Sequence, residues 1–374
     1  TAFVSNESIG FYNNISPQNK SNINFNLKYS KNNLSSQLSF NYDNGDELSF
    51  DNSFANYRIG IADINIGKIN RIWSFSKKSS LILSSNSRPL EAISIKLANR
   101  FNSKWLSSTS KWSFEIINGP TENSLNNKSS MLSGARVIFS PSEKLNFELL
   151  KTSQWGDSGD KLYSTNIDAL LFANTNEGLL TDINKMAGFG FSYSVPLETN
   201  TYRFYSQAIG EDEAGSLPSC YSWMSGLELS TLATFYPTTV TIEAIDTRTR
   251  TSKNGYCGPN TMYNNGIYKY INHDKTLGVP IDSEGTSLEI FGQSQVNMNL
   301  GINYSTKFIV VNDKNFPMHR LSSKRSTGTV TVLGIDWGKN GVNLGGNISF
   351  QNIVLDKANI SNSTSFSIFT SFKF

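Results

Sequence analysis

From Thr364 to Phe374 the chain alternates with period two. Phe366, Ile368, Thr370, Phe372 and Phe374 share one face of an extended strand, and Ser365, Ser367, Ser371 and Lys373 share the other with Phe369 among them. Successive side chains of a strand point to opposite sides, so this stretch backs an almost wholly apolar face with small polar groups. Such a strand is stable where lipid lies on one side and a polar interior on the other. Lipid offers no partner to backbone N–H and C=O groups, which confines sheets there to closed barrels without an unpaired edge.

Segments of about 8 to 12 residues with the same alternation recur over the whole length. Eighteen can be placed, from Phe3 to Tyr12 and Asn22 to Tyr29, through Asn56 to Ala62 and Ile64 to Trp73, to Thr364 to Phe374. Tight connections are expected at Ser30 to Asn33, Asp63, Pro141 to Glu143, Pro196 to Asn200, Ser294-Gln295 and Gly338 to Gly341. Asn340-Gly341 suits the positive φ angles of a two-residue hairpin. Long connections alternate with them: Ser74 to Glu91, Gly119 to Ser130, Gln154 to Met186, Gly210 to Tyr221, Arg248 to Gly285 and Ile309 to Ser326. One longish loop, Arg100 to Ser110, falls among the tight turns. The expectation is an all-β fold, an 18-stranded antiparallel transmembrane β-barrel in which residues 1–374 form a single domain. A terminal Phe on such a strand resembles the C-terminal signature of bacterial outer-membrane barrels, which puts the short turns in the periplasm and the long loops outside.

Composition agrees with one large barrel. Only 10 of 374 residues are Pro, and no charge run or Gly/Ser tract marks a linker. No apolar run reaches the roughly 18 to 20 residues of a membrane helix. Alternation also explains the mean hydropathy of −0.32, because lipid-facing and lumen-facing residues average out. A net charge of +3 argues against nucleic acid as a partner. Thr1 begins without Met or an apolar leader, so any signal peptide is expected to be gone already. Cys220 and Cys257 both fall in outer loops flanking strands separated by a single one, which allows a disulfide; a pair of buried thiols is the other reading.

Catalysis has little support. His273 and His319 are the two histidines, both in outer loops, and no Gly-x-Ser-x-Gly elbow accompanies them. No Cys/His cluster suggests zinc, and no Gly-rich loop precedes a helix, so no cofactor is expected. Glu211-Asp212-Glu213 with Asp157 and Asp160 supplies oxygen ligands for calcium, but without EF-hand spacing, and no metal site is assigned.

Five outer stretches are dense in aromatics, charges and Gly. They are Arg71 to Pro89, Thr152 to Asp160, Ala208 to Ser219, Ile242 to Thr249 and Tyr263 to Tyr268. Gln154-Trp155-Gly156, Gly210-Glu211-Asp212-Glu213-Ala214-Gly215, Glu243-Ala244-Ile245-Asp246-Thr247-Arg248-Thr249 and Tyr263-Asn264-Asn265-Gly266-Ile267-Tyr268 resemble, in order and spacing, landmarks of the Wzi family of outer-membrane capsule-attachment lectins. The resemblance implies an 18-stranded barrel in a Gram-negative outer membrane that holds capsular or similar surface polysaccharide without chemistry, through outer loops 4, 5, 6 and 7. Three departures stand against it. Ile72-Trp73-Ser74 keeps one Trp of a Trp-Trp-Gly-Pro-Gly-like turn, Asn264-Asn265 replace a pair of His, and the family's N-terminal helical bundle is absent from this sequence.

A glycan site needs aromatic faces for the apolar side of a sugar and carboxylates, amides or guanidinium groups for its hydroxyls and acids. Trp73, Trp155, Tyr263 and Tyr268 are the candidate platforms, and Arg88, Asp157, Glu211, Asp212, Glu213, Arg248 and Asn264 the candidate polar partners. The plainer alternatives are an interface girdle for the aromatics and a lumen charge network for the ions. Expected partners are polysaccharide, outer-membrane lipid and a periplasmic or outer-membrane protein. A diffusion channel for small solutes or sugars is the second reading of the same pattern, since eighteen strands enclose room for water unless loops fill it.

Overall fold

The structure, a computed structural model, describes residues 2–4, 21–43, 48–101, 110–122, 130–155, 183–214, 217–232, 236–249, 257–264 and 269–372. Its elements begin with β1 (Ala2–Val4), β2 (Ser21–Lys31), β3 (Leu34–Asp43), β4 (Leu48–Ser49), β5 (Phe54–Ile59) and β6 (Ala62–Lys68). There follow β7 (Glu91–Arg100), β8 (Lys111–Thr121), β9 (Ser130–Ser140), β10 (Leu145–Trp155) and β11 (Asn184–Pro196). Next come β12 (Asn200–Ala214), β13 (Leu217–Thr231), β14 (Thr238–Asp246), β15 (Ile271–Asn272) and β16 (Lys275–Thr276). The last are β17 (Thr286–Asn297), β18 (Leu300–Val311), β19 (Ser326–Lys339), β20 (Val342–Asn352) and β21 (Ser363–Phe372).

Each large strand pairs antiparallel with its sequence neighbours, β14 pairs with β17, and β1 pairs with both β2 and β21. The pairings thus close on themselves. Short β4 and β5 pair side by side on β3 and occupy one place in the ring, and β15–β16 is a separate small hairpin. Lys339 pairs with Val342 around Asn340 (φ 52°) and Gly341 (φ 78°), so the expected positive-φ turn is present. Two turns lie elsewhere than expected. The Asp63 turn is at Gly60-Ile61, and the Ser294-Gln295 turn is at Met298-Asn299, where a bulge at Gln295 and Asn297 carries the hairpin further. The expected loop from Gly210 to Tyr221 is instead mostly ladder, reaching Ala214 opposite Leu217. Its pairing skips Glu211 and Cys220, where Cys220 takes φ 55° and is bonded to Cys257 with Cα atoms 5.3 Å apart.

The outer wall is apolar and uncovered. Phe366, Ile368 and Phe372 of β21 are 46–59% exposed while Ser365 is 4% exposed. The same sorting runs through Phe25 and Leu27, Leu288 and Ile290, and Leu333 and Ile335. Exposed rows of this extent are stable against lipid rather than water.

The core lies inside the ring. Residues 69–90, after β6, turn inward, and Trp73, Leu81, Ile82, Leu83 and Leu90 pack with Met262, Tyr263, Tyr270, Leu277, Val279 and Ile281 of the connection after β14. Lumen-facing Leu132, Leu150, Met186, Ile209, Met224, Ile245, Ile309 and Val330 enclose them. Each such side chain contributes about 1.5 to 3 kcal/mol by leaving water. The two connections are also bonded to each other: Tyr263 Oη donates to the Leu81 carbonyl at 2.6 Å, and Ser84 N to the Leu277 carbonyl at 2.7 Å. Trp73, placed by its alternation at the end of a strand, sits in this core at 1% exposure, with its ring against Gly134 of β9; a Cβ there would lie 2.9 Å from the indole. At the short-turn end the lumen stays open as a polar vestibule of about 920 Å³, lined by Gln293, Asn303, Asp336 and Asn343.

Leu81→Ala should loosen the inner core by about 2 to 5 kcal/mol. The expected readouts are a lower temperature for the heat-induced gel shift and protease cleavage within residues 69–90 while the barrel stays folded.

Candidate functional site

The inward loop is held by the barrel wall at a belt of charges. Three consecutive loop carbonyls accept from wall side chains: Trp73 O from Gln207 Nε2 (2.6 Å), Ser74 O from Arg136 Nη2 (3.0 Å) and Phe75 O from Arg203 Nη1 (2.5 Å). The same two arginines bind wall carboxylates, Arg136 to Glu148 at 2.6 Å and Arg203 to Glu228 at 3.0 Å. Loop Lys77 joins Glu228 at 2.9 Å. Glu243 and Glu289 stand directly opposite each other on β14 and β17, both nearly fully buried. Opposed like charges are unfavourable. Here loop Ser76 and wall Tyr205 each donate to Glu243 at 2.6 Å, while loop Lys78 and wall Lys307 bind Glu289. The belt ties loop to wall through carboxylates of Glu148, Glu228, Glu243 and Glu289 that are all buried, with Lys77 reaching in from an exposed position.

Another cluster lies toward the long-loop end, with exposed Glu122 and half-buried Asp51, Arg88 and His273 around the buried Asn272. Arg88 makes a two-pronged pair with Asp51, at 2.8 and 3.2 Å. Its carbonyl accepts from Asn272 Nδ2 at 3.0 Å, and Asn272 Oδ1 accepts from the Glu122 N–H at 2.9 Å. The His273 N–H donates to the Glu122 carbonyl at 2.7 Å, and its ring lies 3.6 Å from the Glu122 carboxylate. Asn86 Nδ2 reaches the Thr276 carbonyl at 2.8 Å. Four connections thus meet at one surface carrying both charges and amides, a set that can hydrogen-bond sugar hydroxyls and pair with an acidic sugar.

The expected site residues are dispersed. Arg88 is in this cluster. Trp73 and Tyr263 are 1% and 0% exposed, so neither offers a face to a sugar; Tyr263 stacks on Tyr270 with ring centroids 6.0 Å apart. Burial is the main cause that pushes both of these phenols up, with the charge of Asp282 adding to it at Tyr263 and that of Glu211 at Tyr270. Trp155 is 5% exposed, donates from Nε1 to Ser133 Oγ at 3.0 Å and packs on Ile183. Asn264 bonds inward, to the Met262 carbonyl and Ser283. Asp212 and Glu213 pair through their backbones with Ser219 and Pro218 in the β12–β13 ladder. Arg248 lies apart at the rim, bonded to Asp246 (2.7 Å) and Asp313 (3.3 Å), and the Asp246 carboxylate holds its guanidinium more firmly charged. Asp157 and Tyr268 lie outside the described residues. Sequence reading missed Asp51, Glu122 and Asn272; none sits in a dense stretch, and only the fold brings them to Arg88. His319 is enclosed, with Nδ1 accepting from the Leu321 N–H and Nε2 facing the Ser283 carbonyl, a structural arrangement.

The profile of a family described as capsule assembly protein Wzi matches residues 6–357. An uncharacterized 55.8 kDa protein in the cps region of Klebsiella pneumoniae is 25% identical over 190 residues, which are 50% of this chain and 38% of that protein. The match therefore spans well under two thirds of that relative. Among solved structures, Wzi of Escherichia coli, described as an outer membrane protein involved in group 1 capsule assembly and a carbohydrate-binding β-barrel, superposes with a TM-score of 0.82. Identity is 20%, over 100% of this chain and 83% of that one. OprD of Pseudomonas aeruginosa superposes with a TM-score of 0.51 at 9% identity, over 94% and 86% of the two chains. Both structural likenesses concern the fold.

Burial holds His273 below the ordinary histidine value, against the opposing pull of Glu122. With its folded value depressed, its contribution to holding the cluster is full above the unfolded value of about 6.5 and is lost as pH falls through the folded one. The ring resonances of His273, assigned with His273→Gln, should titrate below about pH 6.5, and Glu122→Gln should move the midpoint lower still.

Proposed function

The chain belongs to the Wzi family of capsule assembly proteins, and from that premise we propose that it is an outer-membrane pedestal that holds capsular or similar polysaccharide on the cell surface. The barrel, residues 1–374 as one domain, is anchored in lipid and turns its short-turn vestibule to the periplasm and any protein partner there. Polysaccharide is held non-covalently on the face built around Arg88, Asp51, Glu122, Asn272 and His273, with no catalytic step. The observation that carries this reading is that the described parts of two outer connections fill the lumen from the long-loop side and are clamped there by wall residues. Such filling narrows the passage and gives surface groups a rigid pedestal. Many weak contacts along a repeating polymer then add up to retention. The alternative of a diffusion channel is left with the OprD-type likeness, which extends to the fold alone.

Purified protein in a planar bilayer should show little steady current, whereas Lys78→Met, which removes the loop cation from Glu289 and leaves it Lys307 alone, should open it. Loss of a buried partner of this kind costs about 3 to 5 kcal/mol. An open, polymer-indifferent conductance in the unaltered protein would overturn the pedestal reading.

The combined substitution Arg88→Ala and Glu122→Ala should weaken binding of an oligosaccharide from the organism's own surface polymer by about tenfold, roughly 1.4 kcal/mol. Arg58→Ala, which removes an exposed pair with Asp63 at the opposite end, is the control. Equal loss in the control would sink the assignment.

A further inference from the structure

The outer wall has a gap near its long-loop rim. Register places Trp223, Asp246, Thr286, Val310 and Thr327 in one row across β13, β14, β17, β18 and β19. The row beneath is Ser225, Ala244, Leu288, Phe308 and Thr329, and the next begins Leu227, Ile242 and Ile290. Trp223 is 50% exposed on one side, and Leu288 and Phe308 are 43% and 50% exposed on the other. Between them the small Ser225, Ala244 and Thr286 form the floor of a groove of about 730 Å³, and Arg248 lines its upper end. Leu227, Ile242 and Ile290 restore the bulky wall below.

The rim above the groove is cationic. Arg248 and Arg325 share Asp313, at 3.3 and 3.0 Å, and Arg325 commits only its Nε to that pair. Exposed Lys314 and Lys324 adjoin Asp313 and Arg325 in the chain and add cations to this rim, where Glu284 lies near Lys314 and the Asp356 carboxylate accepts from Ser323. An apolar slot that opens to the membrane beneath such a rim is complementary to an acyl chain joined to an anionic head. Arg presents planar paired donors that match phosphate. We propose that the groove between Trp223 and Phe308 seats one acyl chain of a phosphorylated outer-leaflet glycolipid whose phosphate is held by Arg248 and Arg325. The proposal rests on the outer-membrane placement given above and not on polysaccharide binding.

The test is native mass spectrometry of the purified full chain in detergent, titrated with bis-phosphorylated, multiply acylated lipid A and with the same lipid after dephosphorylation. The unaltered protein should retain phosphorylated lipid, and the dephosphorylated form should bind about tenfold less. Ala244→Phe, which fills the slot, and the pair Arg248→Gln and Arg325→Gln should each cut retention about tenfold. Val137→Phe, at an exposed position on β9 outside the groove, should leave it unchanged. Should Ala244→Phe fail to migrate as a folded barrel, Ser225→Leu takes its place. Unaltered retention in both groove and rim variants, or equal loss in the Val137 control, would overturn the proposal. Oligosaccharide binding by the same variants, measured in parallel, separates failure of this lipid seat from failure of the polysaccharide face.

Discussion

Glu243 and Glu289 face each other inside the barrel, on neighbouring strands and almost without access to water. A wall carrying that pair is incomplete by itself. Lys307 and Tyr205 relieve part of the repulsion from the wall side, and Ser76 and Lys78 of the inward loop add to that relief. Burial raises the cost of leaving such groups unpartnered and strengthens each pairing once made. The inward position of residues 69–90 is therefore tied to the wall's own chemistry.

Above this belt the rule of a polar lumen is broken. Leu132, Leu150, Met186, Ile209, Met224 and Ile309 point inward and are buried against the two connections, while residues beside them point outward to lipid. Strands in this part of the barrel are apolar on both faces, like the buried strands of a two-sided sheet. Below the belt, Asn303, Asp336, Asn343 and Ser365 keep the polar interior. Among the described residues the barrel thus has a core-like half toward the long loops and a polar half toward the short turns, with ion pairs at the boundary.

This division also explains which parts of the sequence were legible. Where the lumen is polar, alternation is clear, and β21, β20 and β3 begin and end within a residue or two of expectation. Where loops pack inside, the contrast between faces fades. Trp73 extends an apolar pattern that has already left the wall, so it reads as the end of a strand when it belongs to the core. At Gly210 to Tyr221, turn-forming residues and acids suggest a loop, whereas backbone pairing carries β12 and β13 on past the Cys220 bond. Aromatic and charge density pointed to Trp73, Trp155 and Tyr263, but these three are buried and pack in the interior, while Phe25, Trp223, Phe308 and Phe366 mark the exposed outer wall. Arg88 lies in a stretch that residue density singles out; the neighbours it meets do not, because Asn272 is 184 positions away and Glu122 meets Asn272 across 150.

By itself the sequence determined the barrel: its strand number, the side each strand turns to lipid, the end that bears the long loops and the nearness of Cys220 to Cys257. Those properties follow from period-two alternation and turn chemistry, which are local and repeat in every hairpin. The tertiary structure alone decided that the described parts of two long connections turn inward, that Glu243 and Glu289 meet Ser76 and Lys78 from the loop side, and which polar groups remain at the surface. These are contacts between residues far apart in the chain, and no local pattern encodes which buried charge will meet which partner.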